Sequence, residues 1–106
     1  MEKEELKNFY LSLIPGIREV ARKSGYAIGI HGSLTRDLDI IGAPWVDNCV
    51  GALTLVKRVA KKLDAYYQTS LSKKPHGRKC YVIFFKFMDG PLAHAYIDFS
   101  IYPKIK

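Results

Sequence analysis

The chain has 106 residues, 48% of them hydrophobic and 25% charged, with Lys and Arg outnumbering Asp and Glu by 17 to 10. That size bounds it at one domain with a modest core, and the composition excludes a largely disordered chain. No apolar run approaches the roughly 20 residues that span a bilayer, and a net charge of +7 favours polyanionic partners such as nucleotides, nucleic acid or an acidic protein.

The opening Met1-Glu2-Lys3-Glu4-Glu5 is polar and mixed in charge, unlike a secretory signal. From Glu2 to Ser24, Leu6, Phe9, Leu13, Ile17 and Val20 recur at steps of three or four, which predicts an amphipathic helix. Pro15-Gly16 predicts a kink there, or two helices in succession, and Gly25 a C-terminal stop. Tyr26 to His31 reads as a buried strand ending in Gly32-Ser33. The turn Leu34-Thr35-Arg36 leads into a second strand, Asp37 to Ile41, which Gly42 and Pro44 terminate. Trp45 is expected to pack on the core, with stacking on a base as the alternative.

Asp47 is the expected N-cap of a second helix. Its buried stripe is Leu53, Val56, Val59, Ala60 and Leu63, its outer face is Lys57, Arg58, Lys61 and Lys62, and Tyr66-Tyr67 close it. Gln68 to Lys79 turns polar and basic and reads as a mobile loop ending in Lys73-Lys74-Pro75-His76-Gly77-Arg78-Lys79. Cys80 to Phe87 is expected to be a central strand, Asp89-Gly90-Pro91 a turn, and His94 to Tyr102 an antiparallel return strand. The elements assemble as an α+β domain: a mixed, mostly antiparallel sheet of about four strands with helices packed on one face. Cys49 and Cys80 sit in apolar surroundings without zinc-ligand spacing, so both are expected to be reduced and buried, in keeping with the cytoplasm.

The chemistry resides in three acids. Side chains alternate along a strand, so Asp37 and Asp39 share one face of theirs, and Tyr96, Asp98 and Ser100 share one face of the last strand. A solvated strand face would account for either set alone. If the two strands are neighbours, the carboxylates converge into a site for hard cations such as Mg²⁺. Arg36 and Arg78 are candidate neutralisers of the charge that such a cluster accumulates.

Gly32-Ser33, then Asp37-Leu38-Asp39, then Ile97-Asp98-Phe99-Ser100 resembles the polymerase-beta-like nucleotidyltransferase superfamily. The stretches 25–45 and 96–103 also look like small proteins encoded by phages and prophages. The resemblance implies one minimal nucleotidyltransferase-like domain over residues 1–106. It implies Mg²⁺, in a two-metal site, on Asp37, Asp39 and Asp98 as catalytic residues, and transfer of a nucleotidyl group from an NTP to an RNA, protein or small-molecule acceptor. Gly32, Ser33, Arg36, Lys74, His76 and Arg78 are the implied nucleotide-binding residues. Only Leu34-Thr35-Arg36 separates Ser33 from Asp37, so the helix that usually begins there in the family is expected to be missing. A second reading from the same fold is a catalytically degenerate basic binding or inhibitory module, phage-encoded, acting on nucleic acid or a host protein. Either reading places the protein in the cytoplasm, the host's if phage-encoded.

Overall fold

Apolar side chains at helical spacing organise the N-terminal fifth of the chain. The computed structural model describes residues 2–70, 75–86, 90 and 92–104. Helix α1 (Glu2–Lys23) is followed by β1 (Tyr26–His31), β2 (Leu38–Pro44), α2 (Ala52–Leu63), β3 (Tyr66–Thr69), β4 (Lys79–Phe84) and β5 (Tyr96–Ile101). The five strands form one sheet in the order β1-β2-β5-β4-β3. Strands β2 and β5 are parallel, and every other neighbouring pair is antiparallel.

One face of the sheet is apolar because alternate residues of its central strands are apolar. Leu38 and Ile40 of β2, Ile97, Phe99 and Ile101 of β5, and Ile83 of β4 are almost wholly buried. They meet Tyr10, Ile17 and Ala21 of α1 and Leu55, Val56 and Val59 of α2. The opposite face carries the polar residues of the same strands.

Several expectations are corrected. Helix α1 runs as one element through Pro15, with neither a second helix nor a break. Proline costs the helix a single hydrogen bond, to the carbonyl of Leu11, whose side chain is exposed and near water. Asp47 does not cap α2; the N-cap is Gly51, without a side-chain hydrogen bond. Residues 46–49 instead form a turn, Cys49 N–H to Val46 carbonyl, that brings Val50 N–H onto the Ser24 carbonyl. The buried stripe of α2 is Leu55, Val56, Val59 and Ala60, and Leu53 is left exposed at its rim.

Tyr66-Tyr67 belong to an edge strand rather than to the end of a helix. Asp64 adopts the left-handed conformation and ends α2, and the β-favouring run Tyr66–Thr69 then pairs with β4. This fifth strand takes the first part of the segment expected to be a mobile loop. Of the rest of that loop, 71–74 lies outside the described residues, and Pro75–Gly77 forms a single 3₁₀ turn. Trp45 is 66% exposed and does not pack on the core. Gly25 does end α1, at φ +91°. No helix among the described residues is long and apolar enough to cross a membrane.

Candidate metal centre

The parallel pairing of β2 with β5 sets Asp39 directly opposite Asp98. Asp37 lies in the turn just before β2, two residues from Asp39. The three side chains are half-buried, and one carboxylate oxygen from each lies within 4.8 Å of the other two. Among the described residues this is the sole cluster of metal-ligating side chains. Its donors are all carboxylate oxygens, the set suited to a hard divalent cation.

Uncompensated, such a cluster disfavours its own ionised form. The Asp39 carboxyl is raised above its ordinary range, first by burial, then by its hydrogen bond to Asp37 and that residue's charge. Asp98 adds to the effect and His31, opposite Asp39 on β1, opposes it. A cation among these oxygens would remove the penalty, so the donor set and its electrostatics both fit a metal.

The turn that leads to the acids is shaped around them. Gly32 has φ +89°, and a Cβ placed there would lie 2.9 Å from Asp39 Oδ2. Glycine therefore serves both the backbone conformation and the open approach to the carboxylate. Ser33 Oγ shares a 2.7 Å hydrogen bond with Thr35 Oγ1. Leu34 is buried at positive φ, and residues 32–37 contain no helix, as the short spacing predicts. Arg36 Nε lies 3.8 Å from Asp37 Oδ1, with the arginine mostly exposed.

The other expected nucleotide-binding residues divide. Arg78 donates to Ser100 Oγ at 3.1 Å and lies over the Tyr102 ring at 5.3 Å. Ser100 shares a face with Asp98, about 7 Å along the strand, so this bond brings Arg78 to the row next to the acids. His76 sits further out, its ring 6.3 Å from that of Tyr102. Tyr102 is four residues past Asp98, roughly 13 Å along an extended chain. Lys74 lies outside the described residues.

Two contributors escaped the sequence reading. Tyr10, wholly buried on α1, donates its hydroxyl to the Arg36 carbonyl at 2.8 Å and accepts the Tyr96 N–H at 3.1 Å. It thereby ties the peptide before Asp37 to the start of the strand that carries Asp98. A tyrosine in a helical core stripe, where phenylalanine would pack as well, is the available signal, because a buried hydroxyl finds a partner. Cys80 is the second: its buried thiol donates to Asp98 Oδ1 at 3.0 Å. It faces Ser100 across the β4–β5 ladder and so reaches diagonally to Asp98. Nothing in the sequence gives that register.

No family model matches the sequence, and no curated protein matches it either. Solved structures do match in fold. Cid1 poly(U) polymerase bound to its short product ApU superposes with a TM-score of 0.55 at 12% identity, over 92% of this chain and 31% of that one. The complex of Cid1 with the UTP analogue UMPNPP gives 0.54 at 12% identity, over 92% and 30%. The MgGTP-bound Cid1 structure gives 0.52 at 14% identity, over 92% and 32%. The chain thus spans about a third of the length of these polymerases. Over that third, it shares the fold of these polymerase structures.

Proposed function

We propose that the protein is a minimal metal-dependent nucleotidyltransferase that moves a nucleotidyl group from an NTP to an RNA, protein or small-molecule acceptor. The observation that carries this reading is the convergence of Asp39 and Asp98 on neighbouring parallel strands with Asp37 in the turn that leads into β2, their oxygens within 4.8 Å of one another. Asp37, Asp39 and Asp98 would hold Mg²⁺. When bound, the metal supplies charge neutralisation at the phosphates and a lowered pKa for the attacking hydroxyl.

The chain's own groups do the rest. Gly32 leaves the Asp39 carboxylate accessible, and the Ser33 hydroxyl with the N–H groups of its turn offers donors to phosphate oxygens. Arg36 stands beside the acids and Arg78 one row away, two cations placed to offset the charge of a triphosphate; Lys74 and His76 extend that set. Tyr10 and Cys80 hold the two acid-bearing segments in register. The fold is shared with polymerases whose structures contain MgGTP, UMPNPP and ApU, which supports a nucleotide substrate. The same reading takes residues 1–106 as one such domain working in the cytoplasm, in keeping with two buried free cysteines.

The test is calorimetric titration of Mg²⁺ and then of ATP, GTP, CTP and UTP into the wild type and Asp39→Asn. Saturable, metal-dependent binding of a nucleotide, lost in the variant, is the expected result. Silence from all four nucleotides would refute the reading.

One observation favours the second reading, a degenerate and phage-encoded binding module on nucleic acid or a host protein. Where the family usually begins a helix facing the phosphates, this chain has a turn closed by buried Leu34, so no helix N-terminus is present to bind them. That reading expects no nucleotide heat, and an Arg78→Glu variant that loses affinity for the partner.

A further inference from the structure

Strand β1 is an edge of the sheet, with β2 on one side and no strand on the other among the described residues. Trp45 N–H donates to the Gly25 carbonyl, which fixes the parity of the β1–β2 ladder. In an antiparallel pair the residues that exchange bonds alternate. Gly25, Ala27, Gly29 and His31 therefore direct their main-chain groups towards β2, while those of Tyr26, Ile28 and Ile30 point outward. The outward parity agrees with an independent contact, because Arg18 of α1 donates to the Ile28 carbonyl at 3.2 Å.

A groove of about 620 Å³ runs along this edge, between Pro15, Arg18 and Arg22 of α1 and Ala27 and Ile28 of β1, with Trp45 at its side. Trp45 is 66% exposed and offers its indole as an apolar wall of this groove. Glu19 also lines the groove, but it is engaged by Lys23 at 3.0 Å, so the two arginines leave the groove net positive.

We propose that this groove captures an extended acidic segment of a partner protein, which adds to the sheet as a sixth strand beside β1. The outward main-chain groups of Tyr26, Ile28 and Ile30 offer a template for about five residues of peptide. Apolar side chains of that peptide enter the groove against Pro15 and Trp45, and its acidic ones meet Arg18 and Arg22. Arg18 already occupies the carbonyl that an incoming peptide N–H would use, and its exposed side chain swings to an acidic partner when displaced. A second copy of the chain fits poorly, since pairing β1 with β1 would oppose the arginines of two +7 molecules. Single-stranded nucleic acid would stack on Trp45 and meet the arginines, but would leave the edge amides unused.

The experiment is selection of a displayed library of random short peptides on the full chain, followed by NMR hydrogen exchange with the synthetic winner. The expected winner alternates apolar with acidic residues and slows exchange at the amides of Tyr26, Ile28 and Ile30, on the order of tenfold or more. Trp45→Ala and Arg22→Glu, both at exposed positions, are each expected to weaken binding on the order of tenfold. Methylating alternate backbone nitrogens of the peptide abolishes binding with no change to the protein. Asp39→Asn is expected to bind the peptide as the wild type does, which separates this surface from the carboxylate cluster. The inference is overturned if no peptide is enriched, or if the winner binds while those three amides exchange unchanged. It is equally overturned if oligo(U) quenches Trp45 without protecting them, or if the chain dimerises through them.

Discussion

Replacing Asp39 with asparagine removes a charge on which both Asp37 and Asp98 act and keeps the shape of the side chain. Two unit charges 4.8 Å apart, the outer limit for these oxygens, repel by about 3.5 kcal/mol at an effective dielectric of 20 and by about 0.9 kcal/mol in water. The acids are half-buried, so a value near about 1 kcal/mol for each of the two pairs involving Asp39 is appropriate. Asparagine also donates to the Asp37 carboxylate without needing a shared proton. The metal-free variant is therefore expected to be more stable at neutral pH by about 1–2 kcal/mol, and its Tm higher by roughly 5–10 °C for a domain of this size.

The gain depends on pH in a defined direction. The folded protein holds the Asp39 carboxyl above its ordinary value of 3.8, so ionisation is disfavoured in the folded state relative to the unfolded one. Wild type and variant should match below that ordinary value. They diverge as the pH rises through the raised folded value, and above it the whole difference is present. Adding Mg²⁺ works against that order: at tenfold over a dissociation constant binding stabilises the wild type by about 1.4 kcal/mol, which closes the gap, and at a hundredfold by about 2.7 kcal/mol, which reverses it, while the variant gains far less. Far-UV circular dichroism melts in EDTA and in Mg²⁺, across a pH series, read all of this. An Asp39→Asn protein that melts below the wild type in EDTA at neutral pH would refute the reasoning.

Other substitutions test the frame around the acids. Gly32→Ala forces a Cβ to within 2.9 Å of Asp39 Oδ2 at a left-handed φ, and is expected to cost about 1–2 kcal/mol in denaturant melts and to weaken Mn²⁺ binding measured by paramagnetic resonance. Tyr10→Phe keeps the ring and leaves the Tyr96 N–H without its acceptor, so a loss of about 1–3 kcal/mol is expected, again by denaturant melts. Phe99→Ala, beneath the acids on the buried face of β5, should cost about 3–5 kcal/mol and leave little folded protein by one-dimensional NMR.

Asp98 with Ser100 was legible in the sequence because strand alternation is local, whereas Asp37, expected on the strand with Asp39, lies in the turn before β2 and joins the cluster as a near neighbour of Asp39. What spacing does not give is register. The opposition of Asp39 to Asp98 and the diagonal reach of Cys80 depend on which residues of distant strands face each other. Tyr66-Tyr67 misled for a different reason. An apolar helix stripe running into aromatic residues continues smoothly on paper, whereas the left-handed Asp64 that breaks it leaves no strong mark in composition. Asp47 looked like a cap on residue type, but the turn it occupies is set by contacts with Ser24, remote in sequence.

The contact between Tyr10 and Tyr96 closes 86 residues of sequence, and the β2–β5 pairing closes nearly sixty. Loops of that length are among the last that a folding chain gains by closing. The like charges of Asp37, Asp39 and Asp98 accordingly meet only when most of the sheet is already in place. If they meet after the rate-limiting barrier, a divalent ion bound there is expected to slow unfolding and leave the folding rate nearly unchanged, which stopped-flow rates with and without Mg²⁺ would read. Occupancy of the cluster would then lengthen the time each molecule persists once folded, adding to the lifetime that the core supplies.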